Sequence, residues 1–303
     1  MSHPSYPVTR MLVLGAGAGA LRLCQAGEEL GIASLRHQGP SDRACHRARE
    51  LGCDAVHPGE LAPAQQVPLA ERCRQAGIRF LGVEPRLLAA MTDARAMSAL
   101  MREAGLPLAG MGSSGGPRVR LSLLADHQGQ VRYLPPRQRL SEQSSQAPLP
   151  WLTSERTRYL GKLAARGVGA LGLTGLVEAC FEAGGNELGF VSLAPGLSGE
   201  EALDETLTGL DPLAEQLRLL QGERLRVRQS ALEAGGHARL WRLSLPRGAR
   251  LAGGPGRRLD HAGDGGESRF VAWGRRPEDV RARAGHALAE LLGEAPGRRT
   301  PGD

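Results

Sequence analysis

Short apolar runs alternate with longer stretches of helical periodicity through the first third of the chain. Residues 11–14, 32–35, 55–57 and 80–81 read as strands, and 20–30, 42–51, 69–76, 85–91 and 94–104 read as helices. Brief apolar runs each followed by a helix predict βαβ units and a mainly parallel sheet. The glycine-rich "GMGSSGGP" at 110–117 interrupts this rhythm and marks a domain boundary.

Strands dominate beyond that break. "RVRLSLLAD" and "GQVRYL" form a predicted hairpin about 127–129, and the largely polar stretch 138–150 is expected as a loop. "TSERTRYLGKLAARGV" is a predicted helix with Thr153 or Ser154 as its cap. "GLTGLVEACFEAGGNELGFVSL" reads as two strands around a glycine turn, and 211–221 as an amphipathic helix. A strand at "HARLWRLSL" precedes a Gly/Arg-rich segment, 247–266, expected to be mobile; a strand at 269–273 follows. The last helix spans 277–292 with proline first, and 293–303 is expected to be a disordered tail. No internal repeat is present.

Composition narrows the function classes. A hydrophobic content of 41% supports an ordinary core, but aromatics make up only 3%, so that core must be Leu, Val and Ala. The formal charge is +6, yet the basic residues are scattered and only one of 38, Lys162, is lysine. Without a basic block or interleaved aromatics, nucleic acid is not the expected partner. No apolar run is long enough to span a membrane, and the first ten residues lack a signal-peptide core. Five cysteines, an odd number without a C-x-x-C pair, fit reduced thiols and a cytoplasmic location.

Several motifs invite chemistry. Gly15, Gly17 and Ala20 satisfy G-x-G-x-x-G/A between a strand and a helix, the arrangement that offers N–H groups to a diphosphate. A nicotinamide-dinucleotide oxidoreductase is one reading. The acidic ribose partner is missing, however: the second strand ends Leu35-Arg36-His37. Cys45, His46, Cys53 and His57 are four possible zinc ligands, but their spacing suits packed thiols better than a knuckle. The acidic run Glu200, Glu201, Asp204, Glu205, Asp211, Glu215 offers metal ligands or a general base but is expected mainly as a solvated helix face. Ser113 and Ser114 lie among glycines but lack the lysine of a phosphate loop, and no Ser-His-Asp arrangement can be placed.

Taken in order, the segments resemble biotin carboxylase, the ATP-grasp subunit of acyl-CoA carboxylases. "MLVLGAGAGALRLCQAGEELGI" resembles the family's first strand, turn and helix. "AVHPGE", "FLGVEP", "MTDA" and "AGLPLAG" follow its HPG, IGP, MGDK and AGVP stretches; "LLADHQGQVRYL", "TGLDPLAEQLRLLQGERL" and "GGHARLWRL" match later ones. The resemblance implies an α/β protein: a parallel-sheet N-terminal domain over 10–110, an ATP-grasp-like α+β region over 117–230 and a small C-terminal β/α region over 231–292. The family's glycine-rich lid has no counterpart between Gly105 and Arg118, and Ala94 stands for its MGDK lysine. Its basic QRRHQK segment has shrunk to "SEQSSQ".

The resemblance also places site residues. Glu178 takes the position of the first metal carboxylate, and Ser192 that of the second. Ala194 and Gly196 replace the asparagine and the catalytic arginine. Glu200 coincides with the bicarbonate-activating glutamate, and Arg242 with the arginine facing biotin. Phosphoryl transfer needs cations on the phosphates, and without a lid water would reach a carboxyphosphate. The expectation is a degenerate pseudoenzyme that has lost ATP and Mg²⁺ and keeps no cofactor. Its role would be interaction or regulation within fatty-acid metabolism, with a biotin carboxylase subunit, a biotin carrier or a second copy as partner. Residual ATP-dependent carboxylase activity through Glu178 and Glu200 is the enzymatic alternative.

Overall fold

The computed structural model describes residues 7–110, 115–184, 187–246, 248–261 and 267–292. Ser113, Ser114, the core of the 110–117 break and the 293–303 tail lie outside them. The N-terminal part runs β1 (Arg10–Leu14), α1 (Ala18–Glu29), β2 (Ala33–His37), α2 (Ala44–Glu50), β3 (Ala55–His57), α3 (Pro63–Ala76), β4 (Arg79–Phe80), α4 (Pro85–Thr92) and α5 (Ala94–Glu103). Its four strands lie parallel in the order β2-β1-β3-β4. β1 occupies the interior with Met11, Leu12 and Val13 fully buried, which is why it reads as a continuous apolar run rather than an alternating one. Asp93 caps α5 by accepting from the N–H groups of Arg95 and Ala96 at 2.8 and 3.1 Å.

The remaining elements are β5 (Arg118–Ala125), β6 (Val131–Tyr133), β7 (Gln138–Ser141), β8 (Ser144–Ala147), α6 (Ser154–Ala170), β9 (Gly175–Gly184), β10 (Glu187–Pro195), α7 (Glu201–Thr208), α8 (Pro212–Leu220), β11 (His237–Ser244), β12 (Arg257–Asp260), β13 (Glu267–Gly274) and α9 (Pro277–Leu292). Two antiparallel sheets result, β10-β9-β5-β6 and β12-β13-β11-β8-β7. Thr153 is the α6 cap. The apolar stripe Leu160, Leu163, Ala164 and Val168 of α6 packs on Val119, Leu121, Val177, Ala179 and Phe181, so one face of the first sheet is sealed. Alternation along β5 and β9 turns Arg120, Ser122, Glu178 and Cys180 to the other face.

Three expectations change. Residues 138–150 are not a loop: β7 and β8 form there, and β8 pairs with β11 from Ala238 to Trp241. Their serines and glutamines carry little strand propensity, but the pairing and a buried carboxylate opposite Ser145 satisfy them. One sheet thus joins the 117–230 and 231–292 regions. The segment 247–266 contains β12, which pairs with β13 from Arg257 to Asp260; Arg247 and 262–266 lie outside the described residues. Finally, the acidic run is no solvated face. Glu200, Glu201, Asp204 and Glu215 are all buried, and α7 begins within it.

Candidate active site

The open face of the first sheet leads into a buried charge cluster. β9 presents Glu178, flanked by Ser122 on β5 and Ala194 on β10. Arg137 lies between β6 and β7, held by reciprocal backbone bonds with Arg120 of 2.7 and 2.8 Å. Its guanidinium is only 1% exposed, and all five N–H donors are used. Nε donates to Glu200 at 2.8 Å; Nη1 donates to Ser122 at 2.8 Å and Asp204 at 3.2 Å. Nη2 donates to Glu178 at 2.5 Å and Ser198 at 3.2 Å.

Glu200 is wholly buried and fully engaged. Its second oxygen accepts from Ser145 at 2.6 Å, Arg242 at 2.9 Å and Arg139 at 3.3 Å. Burial pushes its pKa up, but Arg137, Ser145 and Arg242 outweigh that and hold it well below the usual carboxylate range. Asp204 has one cation rather than three. Burial dominates there, and the neighbouring Glu201 and Glu200 add to it against the pull of Arg137 and Ser122. Its pKa is raised to about 7. Glu201, next in the chain to Glu200, turns away and accepts the N–H groups of Ser198 and Gly199 at 2.6 and 3.0 Å. Gly199, with φ of +81°, gives the sharp turn that leads into the two glutamates.

A second ion pair lies on the adjoining sheet. Arg242 on β11 stands directly opposite Arg269 on β13, a like-charged pairing relieved by Glu200 for Arg242, Glu60 for Arg269, and Glu267 at 3.9 and 3.8 Å from the two. Glu60, from the β3–α3 loop, rests over the start of α1. A Cβ built on Gly19 would come within 2.6 Å of its carboxylate, and one on Gly17 within 3.2 Å. Gly17 and Gly19 of "GAGAGA" leave room for this close approach, and the residue that approaches is the protein's own acid.

Among the residues expected from sequence, Glu178, Glu200 and Arg242 do converge: Arg242 bonds Glu200 directly, and Arg137, which no motif singled out, joins Glu200 to Glu178. Arg139, Ser122, Ser145 and Ser198 were likewise unforeseen, and Asp204 was expected only as part of the acidic run. Ser192, at the second carboxylate position, is exposed and pairs with Cys180. The four possible zinc ligands are not brought together. Cys45 Sγ lies 3.5 Å from Cys73 Sγ inside the N-terminal core, His46 projects outward to Glu50, and His57 is buried. Lys162 is exposed on α6, across the sheet from the cluster. No described helix is long and apolar enough to cross a membrane.

Comparison with known proteins fits this geometry. Residues 119–228 match the family "Carbamoyl-phosphate synthase L chain, ATP binding domain". The chain is 23% identical to a pyruvate carboxylase subunit of Methanothermobacter thermautotrophicus, over 94% of itself and 83% of that protein. It is 24% identical to the biotin carboxylase of a Nostoc species, over 83% and 82%. The first alignment runs to 410 positions, more than the 303 residues available, so stretches of the relative have no counterpart here. Among solved structures, the biotin carboxylase domain dimer of Hydrogenobacter thermophilus 2-oxoglutarate carboxylase, in complex with MgADP, ADP and bicarbonate, superposes with a TM-score of 0.83. It is 21% identical, over 93% of this chain and 90% of that one. The multifunctional pyruvate carboxylase of Rhizobium etli gives the same TM-score at 21% identity, and the chain spans only 37% of it. Over most of its length the chain is similar to biotin carboxylase-like ATP-grasp proteins and shares their fold.

Proposed function

We propose that this chain is a non-catalytic member of the family that acts by interaction or regulation beside a biotin-dependent acyl-CoA carboxylase. The observation that supports this most is the position of Arg137. Magnesium needs several oxygens in near-octahedral array. Here one oxygen of Glu178 is held by Arg137, the other faces Arg120 at 3.5 Å, and the second carboxylate position is a neutral serine on the solvent side. The guanidinium supplies the positive charge that a metal would bring. The donor set does not fit a divalent cation unless Arg137 leaves, and leaving would strip buried Asp204 of its cation and Glu178 of its nearest one. No phosphoryl-transfer step is derived from this site.

The same self-pairing argues against the dinucleotide reading. A diphosphate at the start of α1 would meet the Glu60 carboxylate, and β2 ends without an acid for the ribose. What such a protein retains is its surface. Two relatives are named as subunits, one of pyruvate carboxylase and the small one of 2-oxoglutarate carboxylase, which supports a biotin carrier, a carboxylase subunit or a second copy as partner. The test mixes the purified chain with biotin carboxylase and with biotinylated carrier protein and measures co-elution, together with calorimetric titration of MgATP. Complex formation without MgATP binding supports the proposal. MgATP binding with no complex favours residual ligase activity instead.

A further inference from the structure

A recess lies where the N-terminal sheet meets the β9–β10 hairpin and α8, apart from the Arg137 cluster. It encloses about 280 Å³ of interatomic space, part of it open to solvent, and has room for little more than a water-sized molecule. Three side chains at its wall, His57, Gln66 and Gln216, are 1%, 2% and 5% exposed. Each ends in a buried polar atom with no hydrogen-bond partner among the described residues: His57 Nε2, Gln66 Oε1 and Gln216 Oε1.

Their local bonds settle what each atom offers. His57 Nδ1 accepts the N–H of Gly59 at 2.9 Å, so the neutral ring carries its proton on Nε2. Burial pulls the imidazole pKa down to about 3, against the weaker opposing pull of Gln216, and the ring is neutral at pH 7. Gln66 Nε2 donates to the Leu61 carbonyl at 2.6 Å, which turns Oε1 away as a free acceptor. The Gln216 carboxamide faces the imidazole without making a well-formed hydrogen bond to it. The recess therefore presents one donor and two acceptors.

That set selects its occupant. An anion would face two amide oxygens, a cation would face the imidazole N–H, and an apolar group would leave all three atoms unpaired. A neutral molecule with two donors and one acceptor satisfies all of them, and the space limits it to the size of water. We propose that one water molecule is an integral part of this joint, accepting from His57 Nε2–H and donating to Gln66 Oε1 and Gln216 Oε1. It fastens the end of β3 and α3 to α8. The packing around it is tight: a Cβ on Gly196 would come within 2.3 Å of the Leu176 carbonyl.

Two measurements test this. A crystal structure of the intact protein should show solvent density at about 2.7–3.2 Å from the three atoms; a direct bond from His57 Nε2 to Gln216 Oε1 with no density would overturn the proposal. With ¹⁵N-histidine labelling, His57 should show a protonated Nε2, an unprotonated Nδ1 and a dipolar cross-peak to a long-lived water. Gln216→Met, or Gln66→Met should the first fail to fold, removes one acceptor. The Nε2 proton should then exchange at least tenfold faster and lose the cross-peak. An unchanged exchange rate, or a proton on Nδ1, contradicts the assignment.

Discussion

Replacing Arg137 by methionine removes the guanidinium while keeping a flexible apolar stem of similar reach. Glu178, Glu200 and Asp204 would be left together, with Arg242 and Arg139 near Glu200 and Arg120 at 3.5 Å from Glu178. Asp204 would lose the guanidinium that pairs with it at 3.2 Å. Breaking a buried ion pair by removing one partner typically costs about 3–5 kcal/mol, because the survivors keep their desolvation without compensation. Against about 5–15 kcal/mol for a whole domain, that is a large fraction. The loss should also depend on pH. Carboxylates deprived of Arg137 take up protons more readily, and a neutral carboxyl needs no counter-charge. Urea denaturation of wild type and Arg137→Met at pH 7.5 should differ by about 3–5 kcal/mol, and by clearly less at pH 5.5. Arg137→Lys, which keeps a charge but not the five-donor fork, should fall between. A difference below about 1 kcal/mol at pH 7.5, or one independent of pH, would refute the view that Arg137 is the cation of this site.

Other consequences are open to direct measurement. Asp204 has a folded-state pKa raised from 3.8 to about 7, so its contribution to stability is full below the lower value and is lost as pH rises through the upper one. Asp204→Asn should therefore flatten the stability profile between those values, and a profile of unchanged slope would show that Asp204 does not titrate there. Gly59 has a φ of +62°, and a Cβ there would sit 1.9 Å from the Leu14 carbonyl. Gly59→Ala should cost upward of about 1–2 kcal/mol in a thermal melt. All five cysteines are buried, and burial raises the thiols of Cys24, Cys53, Cys73 and Cys180. Ellman's reagent should label the native protein at least tenfold more slowly than the urea-unfolded chain; equal rates would place a thiol at the surface.

The parallel N-terminal sheet was legible because its signals are local: apolar runs such as Met11–Leu14, each followed by a helical stretch such as the one read at 20–30. β7 and β8 were not, since Ser144 and Ser145 become strand residues only through pairing with β11 and contact with Glu200. The acidic run misled for a related reason. A row of carboxylates near a helix start normally faces water, and nothing near Glu200 or Asp204 in sequence announces that Arg137, more than sixty residues earlier, will meet them inside the protein. Family resemblance located Glu178, Glu200 and Arg242 by position. It could not show that the protein's own arginine would link the first two.

A site satisfied by its own side chains, as proposed here for Glu178, Glu200 and Arg137, should not transfer phosphoryl groups. Release of inorganic phosphate from ATP, with Mg²⁺, bicarbonate and free biotin present, tests it most directly. No release above a protein-free blank is expected. Bicarbonate-dependent release that disappears in Glu178→Ala would contradict it.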